Sequence, residues 1–314
     1  MHSIVTVING EIQKPLRLDR YVSEFLKILS RSQIKTRNLK ANINGKKAKL
    51  SKLVSNGDEL ELIWDESPVI DLIPEDIPLD IIYEDDNCIV VNKAQGMVVH
   101  PGAGNRQGTL ANALYYRRLT MNKPELRDSQ PLSVRPGIVH RLDKDTSGII
   151  IAAYNDETHS FLAQQFKQRV TRKIYAAVIH GVPKDREGRI ETNISRDPRN
   201  RMKFTVAANG KTAVTFYKVI KSRNNYSLVL LKPKTGRTHQ LRVHMRHIGH
   251  PVLGDPLYAE NYRGNQFSNI SLMLHSKSLA ITLPGEKEKR IFSSDLPKRF
   301  SDVIEKLNRM KENG

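Results

Sequence analysis

The sequence predicts an α+β protein in two parts: a small domain of two helices and a β-ribbon, then a larger domain of mixed α+β type. Three observations predict this. From Ile81 onward, short apolar runs rich in Ile, Val and Tyr alternate with polar or Gly-containing segments, as strands do. Helical spacing intervenes at Thr109–Arg118 and Glu157–Gln168, which places helices between strands. Charge divides the chain: residues 1–52 carry 12 Lys or Arg against 3 Asp or Glu, whereas residues 53–86 carry no Lys or Arg and 12 Asp or Glu. A chain of 314 residues accommodates two domains.

Each element follows from its residues. Leu18, Tyr21, Val22, Phe25 and Leu26 recur at helical spacing and make the first helix. Ser30 or Ser32 caps a second short helix carrying Arg31, Lys35 and Arg37. Asn44-Gly45 marks a tight turn, Asn56-Gly57-Asp58 a second, and Leu60, Leu62 and Trp64 alternate after it as on a strand. These define a first domain over residues 1–72. The prolines Pro68, Pro74 and Pro78 oppose helix and central strand, so residues 73–80 read as an acidic, solvated linker. The larger domain spans 81–306, with strands at Cys88–Val91, Ile149–Ala153, Ile174–Ile179, Ala213–Val219 and Ser227–Leu231. Pro233 and Gly236 predict a turn, followed by a helix that buries Leu241, Met245 and Ile248 and lines up Arg242 and Arg246 at i and i+4. A charged helix at Asp302–Lys311 closes the chain.

Composition narrows the function. A net charge of +18 favours a polyanionic partner through counterion release. The one Cys, Cys88, lies in an apolar run and reads as core; it excludes an intramolecular disulfide and a thiolate metal cluster. No signal segment and no membrane-length apolar run is seen, so the expected location is cytoplasmic with no membrane partner. His239, His244, His247 and His250 match no zinc spacing, and no metal is expected. Gly102–Gly108 has glycine spacing one residue too long for a dinucleotide loop, and Gly210-Lys211-Thr212 has Thr205 where a phosphate-binding loop needs Gly, so no nucleotide cofactor is expected.

Three segments concentrate chemistry. The first is His140-Arg141-Leu142-Asp143-Lys144-Asp145-Thr146-Ser147-Gly148, in which Arg141 and Asp143 share a face if extended and precede an apolar strand. Taken alone, Asp143 is as readily a turn residue. The second runs from Gln165 to Val178, with Lys173 and Tyr175 alternating about Ile174. The third runs from Lys232 to Pro251 and holds Arg237, Arg242 and Arg246. A hydrolase using Asp143 lacks a partner base at recognisable spacing.

In these three segments together, the chain resembles the RluA-type pseudouridine synthases. Supporting blocks are Val98–Gly102, Arg135–Val139, Gly249–Asp255 and Leu274-His275, and the match spans most of 81–285. Lys93-Ala94-Gln95-Gly96 departs from the pattern, which has Pro after Lys, and Tyr154-Asn155 replaces a small or basic ending. Length and the amino-terminal module look most like the RluD branch, which modifies large-subunit ribosomal RNA. Arg17-Leu18-Asp19-Arg20 and the elements after it resemble the RNA-binding module named after the S-four ribosomal protein, over residues 10–65.

The resemblance implies a catalytic domain with a mixed, mainly antiparallel sheet, and an isomerase that detaches uracil from ribose, turns it and rejoins it through carbon 5 without a cofactor. It implies that Asp143 acts at the sugar, as nucleophile or by promoting a glycal. It further implies that Tyr175 stacks on the base and assists proton removal, that Arg237 pairs with Asp143, and that Arg141 fills the stack and contacts phosphate. His140, Lys173, Arg242, Arg17, Arg20, Arg31 and Lys35 are the other expected RNA-binding residues. The expected partner is large-subunit ribosomal RNA or a ribosome-assembly intermediate, met by a monomer. The rival reading is a non-catalytic RNA-binding assembly factor with the same fold.

Overall fold

The computed structural model describes residues 1–29, 31–65, 72–102, 104–121, 137–260, 262, 267 and 270–309. The candidate cap Ser30, Pro68 of the acidic stretch, Arg135 and Pro136, and the last two residues of the expected C-terminal helix lie outside them. The chain forms two compact units, Met1–Asp71 and Leu72–Gly314.

In the first unit, strands β1 (His2–Val7), β3 (Lys40–Ile43), β4 (Lys46–Ala48) and β6 (Glu59–Trp64) form an antiparallel sheet ordered β1-β6-β3-β4. β2 (Leu16–Arg17) pairs separately with β5 (Leu53–Val54). Helices α1 (Leu18–Glu24) and α2 (Arg31–Thr36) bury Leu18, Tyr21, Val22 and Ile34 in one cluster with Leu60 and Leu62 of β6. The Asn44-Gly45 turn joins β3 to β4 with both residues at positive φ, 52° and 73°, the geometry that matches strand twist. α2 begins at Arg31, so Ser32 lies inside its first turn and is not its cap.

The second unit is built on one sheet of ten strands. In chain order its elements are β7 (Ile81–Glu84), β8 (Cys88–Lys93), α3 (Leu110–Thr120), β9 (Ser147–Ala153), α4 (Asp156–Gln168), β10 (Arg172–His180), β11 (Glu187–Arg196) and β12 (Phe204–Val206). Then follow β13 (Lys211–Arg223), β14 (Tyr226–Pro233), α5 (Gln240–His247), β15 (Leu274–Thr282), β16 (Lys289–Ser293) and α6 (Lys298–Arg309). The order is β12-β11-β13-β14-β10-β15-β9-β8-β7, with β16 on the far half of β15. All named pairings are antiparallel except β9 with β15, so the α+β class with a mixed, mainly antiparallel sheet is observed.

β8 and β9 lack alternation because both their faces are covered. Ile89, Val91, Ile150 and Ala152 pack with Leu110 and Leu114 of α3. Cys88, Val90, Ile149 and Ile151 pack on the other side with Leu162 of α4. The helices are capped where the sequence allows: Thr109 and Asn112 form a capping box on α3, and the Asn155 side chain accepts from Thr158 N at the start of α4. Gln165 of α4 fixes the end of β15, its amide bonding both Thr282 O (2.8 Å) and Thr282 N (3.0 Å).

The parallel contact of β9 with β15 is short, His275 beside Ser147 and Ser276 beside Gly148. Gly148 has φ +114°, and a Cβ there would lie 2.3 Å from Ser276 O. Only glycine permits this approach.

Residues 73–80, expected from sequence to be an acidic, solvated linker, lie within the second unit and pack on it. Asn112 Nδ2 donates to Ile73 O (2.8 Å), the Glu75 carboxylate accepts from Gly108 N (3.1 Å), and Leu72 and Leu79 join the α3 cluster. The apolar side chains of Leu72 and Leu79, on either side of Pro74 and Pro78, explain the docking. Among the described residues, no helix is long and apolar enough to cross a membrane.

Burial pulls His180, His244 and His275 from 6.5 down to about 4. Each is neutral in the fold, and each takes up a proton at higher pH when unfolded than when folded. Their contribution to stability is present above pH ~6.5 and is lost as pH falls toward ~4. Urea unfolding should show stability dropping across that window, with a shallower pH slope in His275→Gln; an identical slope would remove His275 from the acid response.

Candidate active site

The site begins at the turn before β9. Gly137–His140 run back along β9, with a bridge between Ile138 and Ala152, and His140 Nε2 accepts the Ile151 N–H (3.1 Å). The chain then turns, Thr146 N donating to Asp143 O (3.1 Å), and enters β9 at Ser147. The end of β8 clamps this turn. The Lys93 ammonium, 1% exposed, donates to Ala94 O and Met97 O (2.8 Å each) and to Lys144 O (3.1 Å). Gly96 N also donates to Lys144 O (3.0 Å), and the Gln95 amide donates to Asp145 O and Leu272 O (2.9 Å each). Desolvation pulls Lys93 down to about 8, opposed by Asp145 and Asp143. It is still charged at neutral pH, and carbonyls take all its donors. Gln95 thus ties this loop to the turn.

Asp143 faces α5. Arg242 Nη1 lies 3.4 Å from Asp143 Oδ2, while its Nε and Nη2 grip Asp255 at 2.7 and 2.8 Å. The Arg242 and Asp255 side chains are 6% and 0% exposed, so this is a buried, bidentate pair. Asp255 Oδ1 also accepts from Leu257 N and Tyr258 N, which completes its shell. Burial opposes the charge on Arg242, but Asp255 and then Asp143 outweigh it and raise its pKa. The start of α5 is fixed by Gln240, whose Oε1 accepts from Thr235 Oγ1 (2.7 Å) and Arg237 N (3.0 Å), and whose Nε2 donates to Val214 O and Thr215 Oγ1 (3.0 Å each).

Around Asp143 opens a cleft of ≈ 730 Å³. Ten Lys or Arg residues line it, Arg141, Arg172 and Lys234 among them, and Asp143 is its one carboxylate among the described residues. Tyr175 and Lys173 line it from β10. Tyr175 sits at a register shift between β10 and β15, where Ile174 faces Ser278 and Tyr175 faces Ser276. Burial pushes its phenol up to about 12; a Ser276 hydrogen bond opposes this and the Asp143 charge adds to it. The phenol is protonated at neutral pH. Burial also lowers Lys173, whose ammonium lies 5.7 Å over the Phe166 ring.

The structure corrects several expectations. Arg237 does not pair with Asp143: its Nε donates to Thr212 O (3.1 Å) on β13, and Arg242 holds the carboxylate instead. Arg242, expected to contact RNA, is buried in α5 against Asp255, and of the two arginines at i and i+4 only Arg246 is exposed. His140 is not a free cation for RNA: burial pulls it down to about 3, its Nε2 is engaged, and its ring stacks on Phe166 at 4.5 Å. Arg141 is exposed and lines the cleft. In the first unit, Arg17 pairs with Asp19 and Arg20 with Glu24 on the surface, whereas Arg31 and Lys35 stand exposed on α2. Sequence reasoning missed Asp255 and Lys93. An Arg flanked by Leu241, Val243 and Met245 needs a buried carboxylate, and that requirement could have pointed to Asp255. Among the described residues, no group of three or more His, Cys, Asp or Glu is placed to hold a metal ion.

Comparisons with known proteins agree on one family. Residues 87–247 match the family described as RNA pseudouridylate synthase. Ribosomal large subunit pseudouridine synthase D of Borreliella burgdorferi is 47% identical, over 92% of this chain and 88% of its own. An uncharacterized RNA pseudouridine synthase of Chlorobaculum parvum is 38% identical, over 96% of this chain and 97% of its own. Among solved structures, human RNA pseudouridylate synthase domain containing 4 superposes with a TM-score of 0.58 at 26% identity, covering 74% of this chain and 94% of that one.

Removing one partner of a buried pair leaves the other charge uncompensated. Asp255→Asn should therefore lower the unfolding free energy in urea by about 3 kcal/mol. A loss in the range of a surface pair, below about 1 kcal/mol, would show that Arg242 finds another counter-charge.

Proposed function

The chain belongs to the RNA pseudouridylate synthase family, and we propose that it isomerises specific uridines of large-subunit ribosomal RNA, with Asp143 as the catalytic residue. Its activity class is that of an isomerase acting on RNA. The observation that carries the finer reading is the placement of one carboxylate, among the described residues, on a cleft lined by ten Lys or Arg. Such a lining attracts the phosphates around a target nucleotide, while the carboxylate is the group able to act on the sugar.

A stacked uridine cannot reach Asp143, so it must leave the helix at a cost of a few kcal/mol. Arg141, exposed at the cleft, fills the vacated place and contacts phosphate. In the reaction the bond from ribose carbon 1′ to uracil N1 breaks, the base turns, and a bond from carbon 1′ to carbon 5 forms; the carbon 5 proton leaves and N1 is protonated. Asp143 assists the first step as nucleophile or by promoting a glycal. Arg242, anchored by Asp255, holds the carboxylate in place. The protonated phenol of Tyr175 supports stacking on the base as its resting role. The match to pseudouridine synthase D of Borreliella burgdorferi supports large-subunit ribosomal RNA as the substrate.

The first unit would act as a small RNA-binding domain of S-four type, with Arg31 and Lys35 as phosphate contacts. Arg17 and Arg20 join them by exchanging their exposed carboxylate partners for phosphate, since such surface pairs are weak.

Tritium release from RNA labelled at uracil carbon 5 should be abolished in Asp143→Asn with binding retained; equal release would remove Asp143 from the mechanism. Replacing Arg31 and Lys35 together by Ala should lower RNA affinity and reduce the salt slope by about 2, one for each phosphate that is no longer neutralised. An unchanged slope would show that α2 does not touch RNA.

A further inference from the structure

We infer that His239 is a positioning residue for Asp143, acting as a neutral imidazole that presents its Nε2–H to the carboxylate, and that Tyr258 sets this form of the ring. The inference rests on Asp143 being the reacting carboxylate.

His239 occupies the N-cap of α5 in the left-handed conformation, φ 56°, which a non-glycine residue holds only where its surroundings impose it. It makes no side-chain cap bond to the helix. Its ring is turned to the cleft instead, with Nε2 3.9 Å from Asp143 Oδ2 and Nδ1 2.8 Å from Tyr258 Oη. Tyr258 is 4% exposed, and its Oη accepts the Phe204 N–H at 2.8 Å. A phenol has one proton to give. With Phe204 acting as donor, the buried hydroxyl's remaining bond is the one to His239, so Tyr258 donates and Nδ1 accepts. The ring proton of neutral His239 is thereby placed on Nε2, the nitrogen facing Asp143. A hydrogen bond at one imidazole nitrogen decides the state of the other.

Four charged groups act on the ring. The Asp143 and Asp255 carboxylates favour the imidazolium, the Arg242 and Arg141 guanidiniums oppose it, and burial opposes it most. Phe204 adds an apolar edge, its ring 5.5 Å from that of His239. The net effect keeps the imidazole neutral, so it presents an N–H toward Asp143 without adding a positive charge beside the carboxylate.

Arg242 Nη1 and His239 Nε2 both approach Oδ2 of Asp143, at 3.4 and 3.9 Å. These separations are long for hydrogen bonds, and such contacts tighten when substrate fills a site. Convergence on one oxygen leaves Oδ1 for the sugar. Tyr258 serves both partners, because its ring also lies 5.0 Å from the Arg242 guanidinium.

The test compares His239→Leu, His239→Gln and Tyr258→Phe with wild type and Asp143→Asn, in single-turnover conversion, RNA binding and thermal unfolding. His239→Leu should slow conversion on the order of 10-fold or more, the value of a hydrogen bond to a charged group, with RNA affinity unchanged. His239→Gln, whose amide nitrogen can reach the same place, should recover most of the rate. Nitrogen NMR of isotope-labelled histidines should show the His239 ring, identified by its absence in His239→Gln, protonated on Nε2 in wild type and mixed in Tyr258→Phe. A wild-type ring protonated on Nδ1 would overturn the inference, as would His239→Leu converting at the wild-type rate or losing only affinity. If Asp143→Asn is inactive while His239→Leu is unimpaired, this inference fails alone; if Asp143→Asn stays active, the reading of Asp143 fails and takes this one with it.

Discussion

The site depends on the pairing of β15 with two strands at one residue. Ser276 lies opposite Gly148 of β9 on one side and Tyr175 of β10 on the other. β9 continues the turn that carries Asp143, and β10 carries the tyrosine, so this three-strand contact sets the distance between the two. It also joins the part of the sheet built on β7, β8 and β9 to the part built on β10 to β14. A parallel contact of two residue pairs is weak as a ladder. Its strength comes from elsewhere: Gly148 lets the backbones close, Ser147 Oγ bonds His275 Nδ1 at 2.8 Å, and Arg299 of α6 donates to Ser147 Oγ at 2.6 Å.

Electrostatics complete what the backbone begins. A carboxylate surrounded by cations would be drawn toward whichever lay nearest. Asp255 prevents this by holding Arg242 with two bonds and full burial, so that the third guanidinium nitrogen has one direction available. The turn itself is held through its carbonyls by Lys93, Gln95 and Gly96, which leaves the Asp143 side chain free of structural duty. The groups that position the turn are thus distinct from the carboxylate it presents to the cleft.

Much of this was legible in the sequence, for physical reasons that differ by element. β8 and β9 stood out because burial on both faces makes unbroken apolar runs, and α4 because its apolar residues keep helical spacing between an Asn cap and a left-handed Arg169. β11 did not, since Ile190 and Ile194 are its only buried residues and polar ones separate them. β15 was hidden by Ser276, Lys277 and Ser278 in its middle, polar residues required at the joint. At the site, Asp143 and Tyr175 were readable from motifs, but the partner of Asp143 was not. Arg237 precedes α5, while the guanidinium that reaches Asp143 belongs to the third residue of α5. Spacing placed Arg242 and Arg246 on one face, and only the burial of most of the helix shows why the first of them needed a carboxylate 13 residues away.

The cationic lining has a consequence for turnover. Isomerisation moves a glycosidic bond and leaves every phosphate in place, so substrate and product carry the same charge into the same ten Lys and Arg. Counterion release, which draws the RNA in, opposes its departure with equal force. Discrimination between the two must come from the isomerised nucleotide or from the folding of the RNA itself. The enzyme's release step is then governed by the energetics of its substrate, and a protein that chemistry leaves unchanged relies on the RNA to end the encounter.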